Sequence, residues 1–291
     1  MREWLGAMVS SGVIVHDPAD ASYHLPAAHA ACLTRDSSEN LAVIAQYIPV
    51  LAGVEEQVVN CFKNGGGVPY SAYPRFHQVM AEDSGQTVVA ALAEHILPLA
   101  PGLTERLAGG IEVLDVGCGA GRAMNLLARA YPNSHFTGLD LSREAIDAAS
   151  TEARRHGSGN VSFRVDDLST LAPGSFDLIT AFDAIHDQAR PDRVLAGIAS
   201  ALRADGTFLM QDIRASSHVE ANRDHPIGTL LYTLSCMHCM TVSLAQGGMG
   251  LGAVWGRELA GTMLGEAGFA RVAVHELPHD IQNDYYVCHK G

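Results

Sequence analysis

The sequence is poor in basic residues, and those that it has do not cluster. Lysine and arginine together number 19 against 32 aspartate and glutamate residues, which gives a formal net charge of -13 at pH 7. An acidic surface repels phosphate backbones, so the composition predicts no nucleic-acid partner. Charged residues make up 18% of the chain and apolar residues 47%, a balance that favours a folded chain over a disordered one.

The sequence also lacks a cysteine framework and an apolar leader at its start. Arg2, Glu3 and Trp4 interrupt the first residues, where a signal peptide would need an apolar run. The cysteines are too widely spaced to suggest a set of disulfides, so reduced thiols and a cytoplasmic location are predicted. The six cysteines are Cys32, Cys61, Cys118, Cys236, Cys239 and Cys288.

A zinc site and a membrane span each have incomplete support. Cys236 and Cys239 have the spacing of half a zinc site, but no second pair of ligands follows, so no metal is predicted. Residues 227–245 carry no charged side chain and approach the length of about 18 residues that suggests a membrane span. Because they include His238 and several hydroxyl side chains, we expect a buried helix that lines a pocket, and no membrane partner.

The first 35 residues have the pattern of the second half of a winged helix. A helix is predicted over residues 2–14, stopped by Ser11 and Gly12, and a small hairpin is predicted from Val13–His16 and Tyr23–Leu25. The helices that open such a module are absent from the sequence. Residues 1–35 are therefore interpreted as a partial winged-helix region: either the chain starts late, or a partner covers the exposed face.

Beyond this region the pattern is first helical and then alternating. Residues 36–105 are predicted to be a helical connector, in which Tyr73 follows the glycine loop 64–70 and is a candidate lid residue, although an ordinary helical connector fits as well. Residues 106–291 alternate apolar runs with helices, which is typical of a Rossmann-like α/β sheet, and 213–260 is predicted to be a substrate-wall insertion. The seven predicted strands are Glu112–Val116, Ser134–Leu139, Val161–Val165, Phe176–Phe182, Gly206–Asp212, Val272–Glu276 and Tyr285–His289.

A glycine turn after the first of these strands is the strongest functional signal. Its glycines allow a ligand to approach the backbone closely, although a tight strand-to-helix turn alone would also use them. A dinucleotide-binding turn would place its third glycine at position 122, where this chain has Arg122. The turn consists of Asp115, Val116, Gly117, Cys118, Gly119, Ala120 and Gly121.

Acidic residues also follow the next two strands. Asp140 ends the second strand about 20 residues on, where an acid can hold ribose hydroxyls, although it could instead begin the helix that Ser142 caps. Asp166 and Asp167, with Leu168, follow the third strand and are placed to meet an adenine, although a solvated turn is the plainer alternative. Ligands of open α/β sheets bind at this edge, so we expect these acids in one site.

Together these segments resemble the class I S-adenosylmethionine-dependent methyltransferases over roughly residues 106–291. With the partial winged helix in front, the chain is similar to winged-helix O-methyltransferases. The resemblance implies S-adenosyl-L-methionine as cofactor, with the methionine part beside Asp115, the ribose at Asp140, and the adenine at Asp167 and the Leu168 backbone. Predicted cofactor contacts at the other strand ends and on the connector are Leu141, Phe182, Asp183 and Tyr73.

The fourth strand leads into the candidate catalytic residues His186 and Asp187. A neutral imidazole at this edge can take a proton from an acceptor hydroxyl, and the pair resembles the general-base dyad of plant O-methyltransferases. A histidine that only packs is an open alternative. The expected function is methyl transfer to a small molecule. The alternatives are a DNA-binding regulator or degenerate methyltransferase that uses the winged helix, and a nicotinamide-dependent oxidoreductase, which the position of Gly121 disfavours.

Overall fold

The computed structural model describes residues 1–35, 40–167, 171, 173–278 and 280–291. By its internal contacts the chain divides into two compact units, Met1–Ile48 and Pro49–Gly291. We describe each unit by itself.

The N-terminal unit contains the helix and hairpin that the sequence predicts. The helix ends at Ser10, earlier than the predicted bound of residue 14, because Gly12 turns the backbone into the left-handed region at φ 75°. The hairpin strands pair antiparallel, with Val15 opposite His24. The elements are α1 (Arg2–Ser10), β1 (Val15–Asp17), β2 (Ser22–His24), α2 (Ala27–Leu33) and α3 (Ala42–Ala45), and α4 (Tyr47–Ala52) includes the boundary between the units.

The C-terminal unit alternates helices and strands around one sheet. Its helices are α5 (Glu55–Asn64), α6 (Phe76–Ser84), α7 (Leu103–Gly109), α8 (Arg122–Ala130), α9 (Arg143–His156), α10 (Pro191–Ala201), α11 (Gly228–Leu234), α12 (Met240–Ala245) and α13 (Arg257–Glu266). Short 3-10 helices cover Tyr70–Ala72, Leu97–Leu99 and Val219–Asn222, and π-helical turns cover Gly85–Val89, Leu92–Ile96 and Ser235–Cys239.

All seven strands predicted for the C-terminal part are present and form one sheet. They are β3 (Glu112–Val116), β4 (His135–Asp140), β5 (Val161–Val165), β6 (Phe176–Phe182), β7 (Leu202–Ile213), β8 (Arg271–His275) and β9 (Asn283–His289). Their order is β5-β4-β3-β6-β7-β9-β8, with β3 to β7 parallel and β9 antiparallel to both neighbours. This confirms a Rossmann-like fold in which the order reverses between β3 and β6.

The five central strands of the sheet are covered on both faces, which explains their apolar runs, whereas the edge strands β5 and β8 contain no buried residue. Successive residues of β3 point to opposite faces, so Leu114 belongs to the core beside α10 and α13, and Val113 to the core beside α8. In β7, Met210 and Leu209 divide in the same way. Two apolar layers therefore hold the sheet, and the polar residues collect where the parallel strands end.

The uncharged stretch over residues 227–245 is helical, as predicted. It runs through α11, the π-helical turn Ser235–Cys239 and α12. Within the described ranges, no single helix is long and apolar enough to cross a membrane, while the pair 42–52 and 55–64, bent by 57°, passes that test on length and composition.

Candidate functional site

The glycine turn after β3 is shaped by three glycines with positive φ. A methyl group on Gly117 would lie 2.4 Å from the Ala184 methyl carbon, and one on Gly121 would lie 2.5 Å from the Phe163 ring, so close packing requires both glycines. A methyl group on Gly119 would meet no described atom within 4 Å. The turn therefore leaves open space at Gly119, where the backbone can be approached by a ligand.

Asp140 fixes this turn from the end of β4. Its two carboxylate oxygens accept one hydrogen bond from the Gly119 amide at 2.9 Å and another from the Ser142 amide at 2.8 Å. The Ser142 hydroxyl in turn accepts from the Ala145 amide and caps α9, as its position predicts. Asp140 thus joins the glycine turn to α9, and the neighbouring Leu141 side chain is exposed.

The acids after β5 lie at the same edge and are exposed. The Asp166 amide donates to the Asp140 carbonyl at 3.3 Å, and the Asp166 carboxylate accepts from the Asp167 amide at 2.9 Å. Leu168, predicted to contact the adenine through its backbone, lies outside the described residues. The adenine contacts of this segment stay predictions.

Asp115 is a buried carboxyl group beneath the turn. It accepts a hydrogen bond from the Thr180 hydroxyl at 2.7 Å. Burial raises its pKa to about 7, although the Thr180 bond acts in the opposite direction. The neighbouring Cys118 is half-buried, and desolvation of its thiol together with the charge of Asp115 raises its pKa. At neutral pH Asp115 is therefore poised between its neutral and charged forms.

Asp183 follows β6, whose last residue Phe182 is half-buried, and has an unusual backbone conformation. Its φ is 50°, a left-handed conformation that a non-glycine residue seldom adopts, and its amide donates to the Gln211 carbonyl on β7 at 3.0 Å. Burial and the charge of Asp212 raise the pKa of Asp183 to about 7. Such backbone strain is typical of functional sites and here directs a carboxyl group into the strand-end edge.

His186 pairs with Asp212, not with Asp187. The two buried side chains join His186 Nδ1 to an Asp212 oxygen at 2.7 Å. Asp187 does not bond to His186 as predicted, because side chains of adjacent residues point in different directions. Asp212 instead reaches His186 from the neighbouring strand β7. Asp212 is not among the site residues predicted from the sequence, where its only signal is its place at the end of a predicted strand.

The charge state of His186 also differs from the predicted neutral imidazole. Burial alone would lower its pKa, but the charge of Asp212, assisted by Cys239, raises that pKa well above its ordinary value. The charge of Asp212 therefore favours the protonated form of His186. A protonated imidazole must lose its proton before it can accept one from an acceptor.

Asp187 contacts residues 67–77, which we name the covering segment. This segment contacts residues 227–245, which we name the wall segment. The Tyr70 hydroxyl donates to the Asp187 carboxylate, the Val68 amide donates to the Thr241 hydroxyl at 2.7 Å, and the Tyr73 hydroxyl donates to the Met237 carbonyl at 2.6 Å. The Tyr73 hydroxyl thus bonds to the wall segment in this structure, and the predicted contact of Tyr73 with a cofactor stays a prediction.

Asp183, His186 and Asp212 bring one ligand atom each within 4.8 Å of one another. This geometry could hold a metal ion, although the same atoms already form the His186–Asp212 hydrogen bond. The sequence prediction that the protein uses no metal therefore remains a prediction, and metal addition belongs among the tests of function.

The charge of this edge fits a cationic cofactor. Five carboxylates lie at the strand ends, and in the described part of the chain none of them forms an ion pair with lysine or arginine: Asp115, Asp140, Asp183, Asp187 and Asp212. One buried oxygen of Asp183 and one of Asp212 have no hydrogen-bond partner among the residues that the structure describes. A pyrophosphate would be repelled here, whereas the sulfonium and ammonium groups of S-adenosyl-L-methionine suit these acids and the open Gly119 turn.

Known proteins that are similar to this chain include O-methyltransferases. The fatty-acid O-methyltransferase of Mycolicibacterium smegmatis is 35% identical over 107 residues, which are 36% of this chain and 38% of that protein. The matched parts span 24% to 44% of the length of the curated relatives. An O-methyltransferase family protein from Burkholderia thailandensis has a TM-score of 0.71 and 16% identity, covering 99% of this chain and 82% of its own.

Human N-acetylserotonin methyltransferase, solved in complex with SAM, has a TM-score of 0.66 and 17% identity over 99% of this chain and 81% of its own. At these identities both solved structures support the fold alone. A family model described as an Rv2258c-like winged HTH domain matches residues 1–35. A model described as a methyltransferase domain matches residues 107–263, more than half of the chain. This chain belongs to the methyltransferase domain family.

Proposed function

We propose that this protein binds S-adenosyl-L-methionine and transfers its methyl group to a hydroxyl group of a small molecule. The observation that carries the proposal is the strand-end edge itself, where an open glycine turn lies among carboxylates that have no basic partner within the described residues. Asp140 supports the turn and would hold the ribose, while Asp115 and Asp183 would offer charge to the cationic part. When bound, the cofactor supplies an electrophilic methyl group.

The residues of the chain would then act mainly by orientation and proton removal. In its neutral form, after loss of its own proton to solvent, His186 would take the proton of the acceptor hydroxyl as the oxygen becomes nucleophilic, and Asp212 would hold the imidazole in one orientation and stabilise the imidazolium. The covering segment keeps water from this edge, which favours transfer to the acceptor. A small-molecule acceptor, a cytoplasmic location and a homodimer are parts of the same proposal.

Calorimetry of cofactor binding tests this function. We expect S-adenosyl-L-methionine to bind and NADH not to bind. Asp140→Asn should weaken binding at least tenfold, because its carboxylate both supports Gly119 and faces the ribose position. The control Asp147→Asn changes an exposed acid on α9 and should bind as the wild type does. Binding of NADH in place of S-adenosyl-L-methionine, or equal affinities in both variants, would show that the proposal is wrong.

A DNA-binding regulator is the second candidate, because residues 1–35 match a winged HTH domain. The net charge of -13 opposes it. A DNA mobility shift that weakens steeply with added salt would favour this candidate, and no shift at low salt would remove it.

A further inference from the structure

His238 lies in the wall segment and has no polar partner among the described residues. Its side chain is 2% exposed, and both ring nitrogens are buried without a hydrogen bond. A neutral imidazole carries one donor and one acceptor, and burying both unpaired is costly. An apolar ring would pack at this position without the cost of two unpaired nitrogens. Packing alone therefore does not explain why this residue is a histidine.

The surroundings of His238 are aromatic and come from the covering segment. Phe76 stacks on its ring at a centroid distance of 3.6 Å and an angle of 10°, and Tyr70 and Tyr73 meet it edge-on at 4.9 and 4.7 Å. Planar rings are therefore well accommodated beside this imidazole. A planar ligand could take the same stacking position if the covering segment moved.

The covering segment is built so that such movement is feasible. It begins after Gly65 and Gly66, which have positive φ, and a methyl group added to either glycine would meet no described atom within 4 Å, so the backbone can rotate there. Its contacts with the wall segment and with Asp187 include hydrogen bonds of the Val68 amide and of two tyrosine hydroxyls and the stacking of Phe76. Gly67 also lies against the backbone of the wall segment, where an added methyl group would come within 2.0 Å of the Thr241 carbonyl oxygen, so opening must separate this contact as well. Opening this segment would expose His238.

His238 and His186 belong to one site. Tyr70 links them, because its ring meets the His238 ring at 4.9 Å and its hydroxyl donates to Asp187, the residue after His186. Burial and the charge of His186 lower the pKa of His238 well below its ordinary value, which favours the neutral imidazole. The wall segment has no charged residue, and the acids Asp183, Asp187 and Asp212 would repel a carboxylate on the acceptor. A neutral acceptor with two polar groups fits the two imidazoles.

We propose that His238 is a specificity-determining residue that binds a second polar group on a neutral aromatic acceptor whose reacting hydroxyl faces His186. The inference rests on the proposed function, because the acceptor is defined by the methyl-transfer site. Binding requires the covering segment to open, and the acceptor ring then takes a place in the aromatic surroundings of His238.

The probes are phenol and the three benzenediols, each titrated into protein saturated with S-adenosylhomocysteine. At least one benzenediol should bind the wild type about two- to tenfold more tightly than phenol, as expected for one added hydrogen bond. His238→Phe should remove this preference, and His238→Gln should retain part of it. In long-range ¹H–¹⁵N NMR spectra, the His238 nitrogen signals should shift with the preferred diol and stay unchanged with phenol.

Thermal stability separates recognition from packing. His238→Phe removes the unpaired nitrogens and keeps the ring, so its Tm should equal or exceed that of the wild type. The matched control is His225→Phe, because both nitrogens of His225 are paired, with the Arg214 carbonyl at 2.9 Å and the Ile227 amide at 3.3 Å. This control should lower Tm and leave the diol preference unchanged.

The proposal is overturned if no benzenediol binds, or if His238→Phe keeps the wild-type preference. S-Adenosylhomocysteine binding is measured first in every variant. If the wild type does not bind S-adenosylhomocysteine, the proposed function is contradicted. If it binds S-adenosylhomocysteine but does not prefer a benzenediol over phenol, only the role of His238 is contradicted.

Discussion

Replacement of Asp115 by asparagine should remove the part of the pH dependence of stability and of cofactor affinity that this carboxyl group contributes. In the folded protein without cofactor the pKa of Asp115 is raised to about 7 from its ordinary value of 3.8, chiefly by burial. Between these two values the unfolded chain has lost a proton that the folded chain still holds. The free energy of unfolding therefore falls as pH rises through this window, by up to about 4 kcal/mol at about 1.4 kcal/mol per pH unit.

Cofactor affinity should change in the opposite direction. A cation binds the ionised carboxylate, so the affinity of the wild type should rise about tenfold for this group between pH 6 and pH 8, with release of a proton. Asp115→Asn keeps the size of the side chain and an acceptor for the Thr180 hydroxyl but cannot ionise. Its affinity should match that of the wild type near pH 5 and fall below it by pH 8.

Chemical denaturation at pH 5 and pH 8 measures the first effect, and calorimetry in buffers of different ionisation enthalpy measures the second. Because Asp183 and His186 also titrate, the difference between the wild type and Asp115→Asn isolates Asp115. A stability difference and an affinity ratio that both stay constant from pH 5 to pH 8 would refute the reasoning that Asp115 is a buried, cation-responsive acid.

Two further predictions concern the same edge. Gly119→Ala should lower the free energy of unfolding by only about 1 kcal/mol, the cost of a left-handed alanine, yet weaken cofactor binding at least tenfold. Gly117→Ala should lower the free energy of unfolding far more, because its methyl group meets Ala184. Denaturation and calorimetry of both variants check this, and equal stabilities would contradict it. Asp212→Asn should lower the pKa of His186, because the charge that raises this pKa is lost. The rising limb of the pH–rate profile should therefore move to lower pH, and the maximal rate should fall about 100-fold. A rising limb at the wild-type pH would exclude His186 as the group that titrates.

The fold follows from local patterns that the sequence carries. Continuous apolar runs predict buried strands, and the structure confirms seven strands in one sheet, of which the five central ones contain the buried residues. Helix bounds were less predictable, as the early end of α1 shows, because a single glycine conformation sets them. The glycine turn and Asp140 were predicted from spacing, since parallel strands deliver their carboxyl ends to one edge.

Contacts between distant segments could not be predicted in this way. The sequence suggested His186 with Asp187 because they are adjacent, but the structure pairs His186 with Asp212 and Asp187 with Tyr70, across 26 and 117 residues. Nor does any local pattern show that His238 is enclosed by aromatic rings with both nitrogens unpaired in the described chain. The sequence alone thus determined the strands, the turn and the family resemblance, because these depend on periodicity and spacing. Only the tertiary structure decided the partners of the buried polar groups, because side-chain direction and packing between strands and covering segments set them.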